Sequence, residues 1–258
     1  MQTRHQDRSA YFEETATSCR NYYLPYIEQH TSLKFGRNCR VMEVGCGFGG
    51  ILSIFAAKGA TVTGIDIHKP SIETAKTLFA ERGLKGTFIC SDIFDYSDTQ
   101  PYDLIILHDA LEHIPEKERL MLHLKSFLKA DGLLYLGFPA WQMPFGGHQQ
   151  ICKSKIISHF PFIHLLPAPI YKGILKFGGE STGCIEELLS IKETKTSIEL
   201  FEKLVHEKHI TIIDRQLFFI NPHYEIKFRL KPRRLYAIIA GIPYLRNFFT
   251  TSCFYTLK

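Results

Sequence analysis

Between residues 41 and 138 short apolar blocks alternate with segments of helical period. Val41 to Val44 leads into glycines at 45, 47 and 49, and Ile51-Leu52-Ser53-Ile54-Phe55-Ala56-Ala57-Lys58 leads out with helical spacing. Thr61 to Ile67 repeats the apolar block, and Pro70 to Phe79 reads as a helix with proline near its start. Thr87 to Cys90 is expected to be a short buried strand ending at Asp92. Leu104 to Leu107, bounded by Asp103 and His108, has the pattern of a central parallel strand buried on both faces. A helix over 116–129 places Leu120, Leu124, Phe127 and Leu128 on one face, with Asp131-Gly132 as its stop and Leu133 to Phe138 as a fifth strand. Strand and helix in alternation predict an α/β fold on a parallel sheet.

The flanks follow other patterns. Residues 9–30 look helical, with tyrosines at 11, 22, 23 and 26 and Pro25 breaking or kinking the run. Tyr11 and Tyr23 either pack a helix on the sheet or touch a ligand. Past Pro139 the alternation stops for about 55 residues containing Trp141, Met143, Phe145, Gly146-Gly147-His148-Gln149-Gln150 and a proline-rich aromatic stretch from Phe160 to Tyr171. A segment of that length in a compact domain is usually functional, and a substrate lid is expected. Ser197 to His209 reads as a helix, Ile210 to Ile220 as a strand, Asn221-Pro222 as a turn and Tyr224 to Leu230 as an alternating strand. Tyr236 to Phe249 reads as a C-terminal helix interrupted by Pro243.

Composition narrows the class. The chain has 258 residues, 45% of them hydrophobic, enough for one α/β domain with additions. Its seven cysteines stand singly, with no Cys-x-x-Cys pair, which favours reduced thiols in a cytoplasm over a disulfide or zinc framework. The first residues lack an apolar signal region, and Tyr236 to Tyr244 is about half the ~20 residues of a membrane span. The net charge of +5 belongs to the tail: residues 226–258 carry seven basic groups and no acid. These are too few, and too little interleaved with aromatic residues elsewhere, to read as a nucleic-acid platform. A basic, aromatic C-terminal segment does suit peripheral contact with an anionic membrane or a lipid-linked acceptor.

A strand, a glycine loop and a helix N-terminus in that order present bare backbone at the carboxyl edge of a parallel sheet, where nucleotide-like cofactors bind. Asp66 ends the second strand close to 20 residues later, where a carboxylate accepts from ribose hydroxyls. The loop reads Glu43-x-Gly45-x-Gly47-x-Gly49, without the Gly-x-Gly-x-x-Gly of dinucleotide binders. With Ser91-Asp92-Ile93 and Asp103 to Ile114, the chain resembles the class I S-adenosylmethionine-dependent methyltransferases over residues 41–138.

The resemblance implies a Rossmann-like seven-stranded sheet with helices on both faces, an N-terminal helical cover and a lid insertion after strand five. The expected organisation is a cover over 1–36, a cofactor-binding core over 37–140, a lid over 141–196, completion of the sheet over 197–231 and a basic, aromatic C-terminal helix over 232–258. For S-adenosyl-L-methionine it implies Glu43 near the methionine end, Gly45, Gly47 and Gly49 shaping the loop, and Asp66 on the ribose with Ile67 beside it. Asp92 takes the adenine amine, Ile93 covers a ring face, and His108 lines the methionine end.

Methyl transfer is an in-line displacement in which the cofactor supplies the reactive carbon and the protein positions the nucleophile. A hydroxyl acceptor gains from a base, and His148 is the candidate catalytic residue, since no apolar periodicity explains it. Asp109, Glu112 and His113 converge on one helical turn and suit a divalent ion. They resemble the Glu-x-x-Glu-His ligands of magnesium-dependent O-methyltransferases acting on quinone precursors and small-RNA 3′ ends, with Asp109 a departure. Leu-Glu-His-Ile also occurs in members that bind no metal, so no metal site is assigned; a cation on this triad with His148 is the alternative.

The function expected is O-methylation of a small molecule or a glycan- or lipid-linked precursor, with no nucleic-acid partner. The alternatives are C- or N-methylation without a base, and a non-catalytic cofactor-binding relative.

Overall fold

The computed structural model describes residues 7–258, so the first six residues of the expected cover lie outside it. Helix α1 (Arg8–Ser18) starts where the Asp7 side chain accepts the Ala10 N–H. It runs through a π-helical turn at Cys19–Tyr23 into α2 (Leu24–Gln29). Pro25 does not break the run: it directly follows the π-helical turn, where the regular α-helical hydrogen-bond ladder is already interrupted.

The core follows as β1 (Arg40–Val44), α3 (Gly50–Ala57), β2 (Thr61–Asp66), α4 (Lys69–Glu81), β3 (Thr87–Cys90), β4 (Tyr102–His108), α5 (Lys117–Ser126) and β5 (Leu128–Phe138). These five strands are parallel in the order β3-β2-β1-β4-β5. The order reverses between β1 and β4, so the loops after these strands open onto the crevice where ligands of such sheets bind. β4 is buried at all seven positions. β3 is the edge strand, and only Phe88 in it is fully buried, not the whole segment. Helix α5 stops at Ser126, short of the expected Asp131-Gly132. The ladder pairs Tyr102 with Leu128 and Leu104 with Leu133, so residues 129–132 loop out of an already started strand.

Beyond β5 come α6 (Lys155–His159), α7 (Ala168–Phe177), α8 (Thr182–Thr194), α9 (Ile198–Glu207) and β6 (Ile212–Ile220). The insertion therefore carries secondary structure of its own. α8 has its own serine cap, with Ser181 accepting the Cys184 N–H, and α6, α7, α8 and the segments before α6 and α7 share a small apolar core of Cys152, Ile157, Ile163, Tyr171, Leu175, Ile185 and Leu188.

The end of the chain corrects the sequence reading. Tyr224 to Leu230 is not a strand: His223–Phe228 forms α10, where Tyr224 and Phe228, four apart, bring their rings to 5.3 Å. The expected C-terminal helix is broken into β7 (Arg233–Arg234), α11 (Ala237–Ala240), α12 (Leu245–Phe248) and β8 (Ser252–Leu257). β8 enters the sheet between β5 and β6, antiparallel to both. It does so because its residues alternate between two cores: Phe254 packs with the layer under α1 to α4, while Cys253, Tyr255 and Leu257 pack with the layer of α5 and α9. The sheet has eight strands against the seven expected, the extra one being the two-residue edge strand β7. Arg246 is buried and bridges Glu199 and Glu202 at 2.9 and 2.8 Å, docking the tail on α9.

Candidate cofactor and acceptor cavities

All three loop glycines have positive φ, at 73°, 51° and 83° for Gly45, Gly47 and Gly49. At Gly45 the constraint is double, because an added Cβ would lie 2.8 Å from the Ala110 Cβ at the start of the turn after β4. Gly45→Ala is expected to strain the backbone and push the two motifs apart, lowering the melting temperature and cofactor affinity together, as thermal melts and calorimetry would show.

The loop is tied to the end of β2 through Asp66, whose carboxylate accepts the Gly47 N–H and the His68 N–H, both at 2.8 Å. A cavity of about 480 Å³ opens beside it, walled by Gly45, Asp66, Ile67, Asp92, Ile93 and the turn from Asp109 to Glu116. Ile67 is largely exposed at its rim, Ile93 is buried, and Asp92 accepts the Phe94 N–H at 2.9 Å. Glu43 lies behind the glycine loop, 2% exposed, and burial first, then the Asp66 charge, pushes its carboxyl well above the usual range.

His108 lines neither of the two cavities. It is buried beneath Tyr23, ring centroids 4.1 Å apart, and Tyr135, whose hydroxyl is 3.2 Å from its Nδ1. Tyr23 is accordingly a core ring, whereas Tyr11 lines a second cavity.

That second cavity, about 360 Å³, is lined chiefly by Tyr11 from α1, Asp109 to His113, Met143 to Ile151, and Tyr224 to Phe228 on α10, with Glu187 of α8 and Thr251 also on its wall. Asp109 and His113 line both cavities and are the joint between them. Asp109 holds a left-handed backbone at φ 50°, with its N–H donated to the Gly137 carbonyl at 2.8 Å. Such a conformation in a non-glycine residue is maintained by its surroundings. The sequence pointed to Asp109 and His113 only as metal ligands, and Tyr224 and Phe228 were missed because α10 was read as a strand.

The structure brings Glu112, His113 and His148 together, with one ligand atom from each within 4.8 Å of the others. Glu112 and His113 lie on a single 3-10 turn directly after β4. His148 comes from the insertion, with φ 58°, held by its N–H to Phe145 and by the buried Gln149, which donates to the Pro144 and Phe160 carbonyls. The His148 Nε2 is 3.7 Å from the Glu112 Oε1, beyond a hydrogen bond, and the Glu112 oxygens have no hydrogen-bond partner although the residue is 3% exposed. Burial, with the Asp109 charge second, pushes the Glu112 carboxyl well up. Burial also lowers His113, and brings His148 down to about 4, so both imidazoles are neutral with a lone pair to offer at pH 7.

The family described as "Methyltransferase domain" matches residues 35–160. A ubiquinone biosynthesis O-methyltransferase of Coxiella burnetii is 39% identical over 114 residues, which are 43% of this chain and 47% of that protein. The chain thus aligns with about half the length of the curated relatives it matches. A solved structure of the plantazolicin methyltransferase BpumL, in complex with a pentazolic desmethylPZN analog and SAH, superposes with a TM-score of 0.58 over 99% of this chain and 88% of that one, at 14% identity. An S-adenosylmethionine-dependent methyltransferase from Clostridium acetobutylicum gives 0.58 over 94% and 91%, at 12% identity. The sheet order, the glycine loop tied to Asp66 and the family match agree: residues 35–160 are similar to the methyltransferase domain family, and the whole chain shares the fold of S-adenosylmethionine-dependent methyltransferases.

Proposed function

We propose that the chain transfers the methyl group of S-adenosyl-L-methionine to an oxygen of a small phenolic acceptor carrying an apolar tail. The observation that carries this reading is the pair of cavities meeting at Asp109 and His113: one beside the glycine loop and Asp66, the other lined by the insertion and α10. Asp66 would hold the ribose and Asp92 and Ile93 the adenine of a cofactor in the first, which would supply the methyl group for an acceptor in the second, while the insertion and α1 exclude water from the joint. The relatives named O-methyltransferases support oxygen as the atom methylated.

His148 offers its imidazole lone pair at the acceptor cavity. With a pKa near 4 it accepts a proton poorly from an ordinary phenol. It serves better as a ligand, and the buried, unpartnered carboxylate of Glu112 beside two neutral imidazoles fits a divalent cation. Glu112, His113 and His148 would hold it, and a cation there would acidify a bound hydroxyl.

Phe228 lines the acceptor cavity while half-exposed, and the tail beyond it exposes Tyr236, Ile238 and Tyr244 near Arg233 and Arg234 in sequence. This supports the apolar tail and a peripheral membrane contact; among the described residues no helix is long and apolar enough to cross a membrane.

The test is a methyl-transfer assay on phenols with and without an apolar tail, run on the native chain and on His148→Ala. The tailed phenol is expected to be preferred, and His148→Ala to lose about 10- to 100-fold in kcat/KM. Turnover intact in the variant would favour nitrogen or carbon methylation without a base, and cofactor binding with no acceptor methylated would point to a non-catalytic relative.

A further inference from the structure

A second cluster of ligand-bearing side chains lies in the insertion, away from the two cavities. Cys152, in the loop before α6, Glu180, just before α8, and Cys184, in the first turn of α8, place one sulfur or carboxylate oxygen each within 4.8 Å of one another. The residues are separated by 28 and 4 positions, so no motif announces them. Cys152 and Glu180 are buried, and Cys184 is partly exposed, giving a route from solvent.

We propose that Cys152, Glu180 and Cys184 form a structural site for a thiophilic divalent cation such as zinc.

Three observations support it. The carboxylate is already oriented: its two oxygens accept the N–H groups of Lys153 and Ser154 at 3.0 and 2.9 Å, leaving lone pairs for a cation and supplying the outer hydrogen bonds that metal ligands usually have. The Tyr171 hydroxyl, fully buried in the same small core and electrostatically coupled to both cysteines, has no hydrogen-bond partner and could pair with a solvent ligand completing a tetrahedral set. The third is where the cluster sits: it joins the two arms of a small apolar core that is separate from both layers packed on the sheet. A core that small supplies little cohesion of its own, which a cross-link between its arms would add to. Without a cation, burial keeps the Cys152 thiol protonated, pushed up to about 12; binding would release the two thiol protons.

Such a cross-link would bear on the acceptor cavity. His148, Gln150 and Ile151 immediately precede Cys152, and Glu187 follows Cys184 by one turn of α8; all four line that cavity. Pinning the arms at 152 and 184 fixes the separation of the two segments and with it the shape of the cavity wall.

The experiment is titration of the full chain with cobalt(II) chloride under a thiol-free reductant, read by the sulfur-to-cobalt charge-transfer band, which the Glu112, His113 and His148 cluster cannot produce. The band should saturate at one equivalent, persist in His148→Ala and vanish in Cys184→Ser. Glu180→Gln should weaken cobalt binding more than about tenfold. Circular dichroism and retained S-adenosylmethionine binding would show that Cys184→Ser is folded; if it is not, Glu180→Gln decides. No band in the native chain, a full band in folded Cys184→Ser, or unchanged affinity in Glu180→Gln would overturn the site whatever the methyl-transfer result.

Discussion

Asp66→Ala should weaken S-adenosylmethionine and S-adenosylhomocysteine binding by at least about 100-fold in calorimetric titration. In the proposed complex the carboxylate accepts from the ribose, and a hydrogen bond to a charged group contributes roughly 1.5–3 kcal/mol. The substitution also releases the Gly47 and His68 N–H groups that the carboxylate now holds at 2.8 Å, slackening the loop that the cofactor must approach. Together these reach about 3 kcal/mol, or roughly two decades in Kd. Asp66→Asn, which keeps an amide oxygen as acceptor, should fall between. An Asp66→Ala chain that melts normally and binds within threefold of the native one would remove Asp66 from the cofactor site.

Glu112→Gln should separate stability from function. A carboxyl whose folded pKa lies above its unfolded value of about 4.3 binds an extra proton in the folded state, so stability falls as pH rises through the interval between the two. Around Glu112 the Asp109 charge reinforces the upward shift and the Lys117 ammonium opposes it, while the His113 and His148 rings are neutral above their lowered pKa values. Glutamine removes the titration. In the presence of a chelator at pH 8 the variant should therefore melt higher than the native chain, by about 1–3 kcal/mol or about 2–4 °C for each. The difference should vanish near pH 4. Divalent cation should stabilise the native chain and not the variant, and kcat/KM should drop about 10- to 100-fold or more. A variant that melts lower at every pH would mean that Glu112 is a paired charge with a structural use.

The region from residue 41 to 138 was legible because its signals are local. Five apolar blocks, the glycines at 45, 47 and 49, and acids at the ends of two strands report which side of each element is buried and where the chain must turn. Asp66, Asp92 and Ile93 line one cavity with Gly45. His108 does not, because burial under Tyr23 and Tyr135 is a matter of what α1, α2 and β5 bring, not of its place at a strand end.

Windows of six residues misled where two periods fit equally. Tyr224, Ile226 and Phe228 suit a strand face, but Tyr224 and Phe228 also suit neighbouring turns of a helix, and packing selected the helix. Residues 252–257 are the converse: their alternation was hidden in a tail read as one helix, and it became a strand only because β5 and β6 left a place between them that is buried on both faces.

By itself, then, the sequence determined the parallel core, its glycine loop and the likeness to methyltransferases, since periodicity and turn chemistry act within one element. Tertiary structure alone decided which strand closes the sheet, that Asp109 and His113 join two cavities, that His148 meets Glu112 from 36 positions away, and that Cys152 meets Cys184. Such meetings depend on how whole elements pack, and a residue's spacing along its own element carries no record of the partner that packing brings to it.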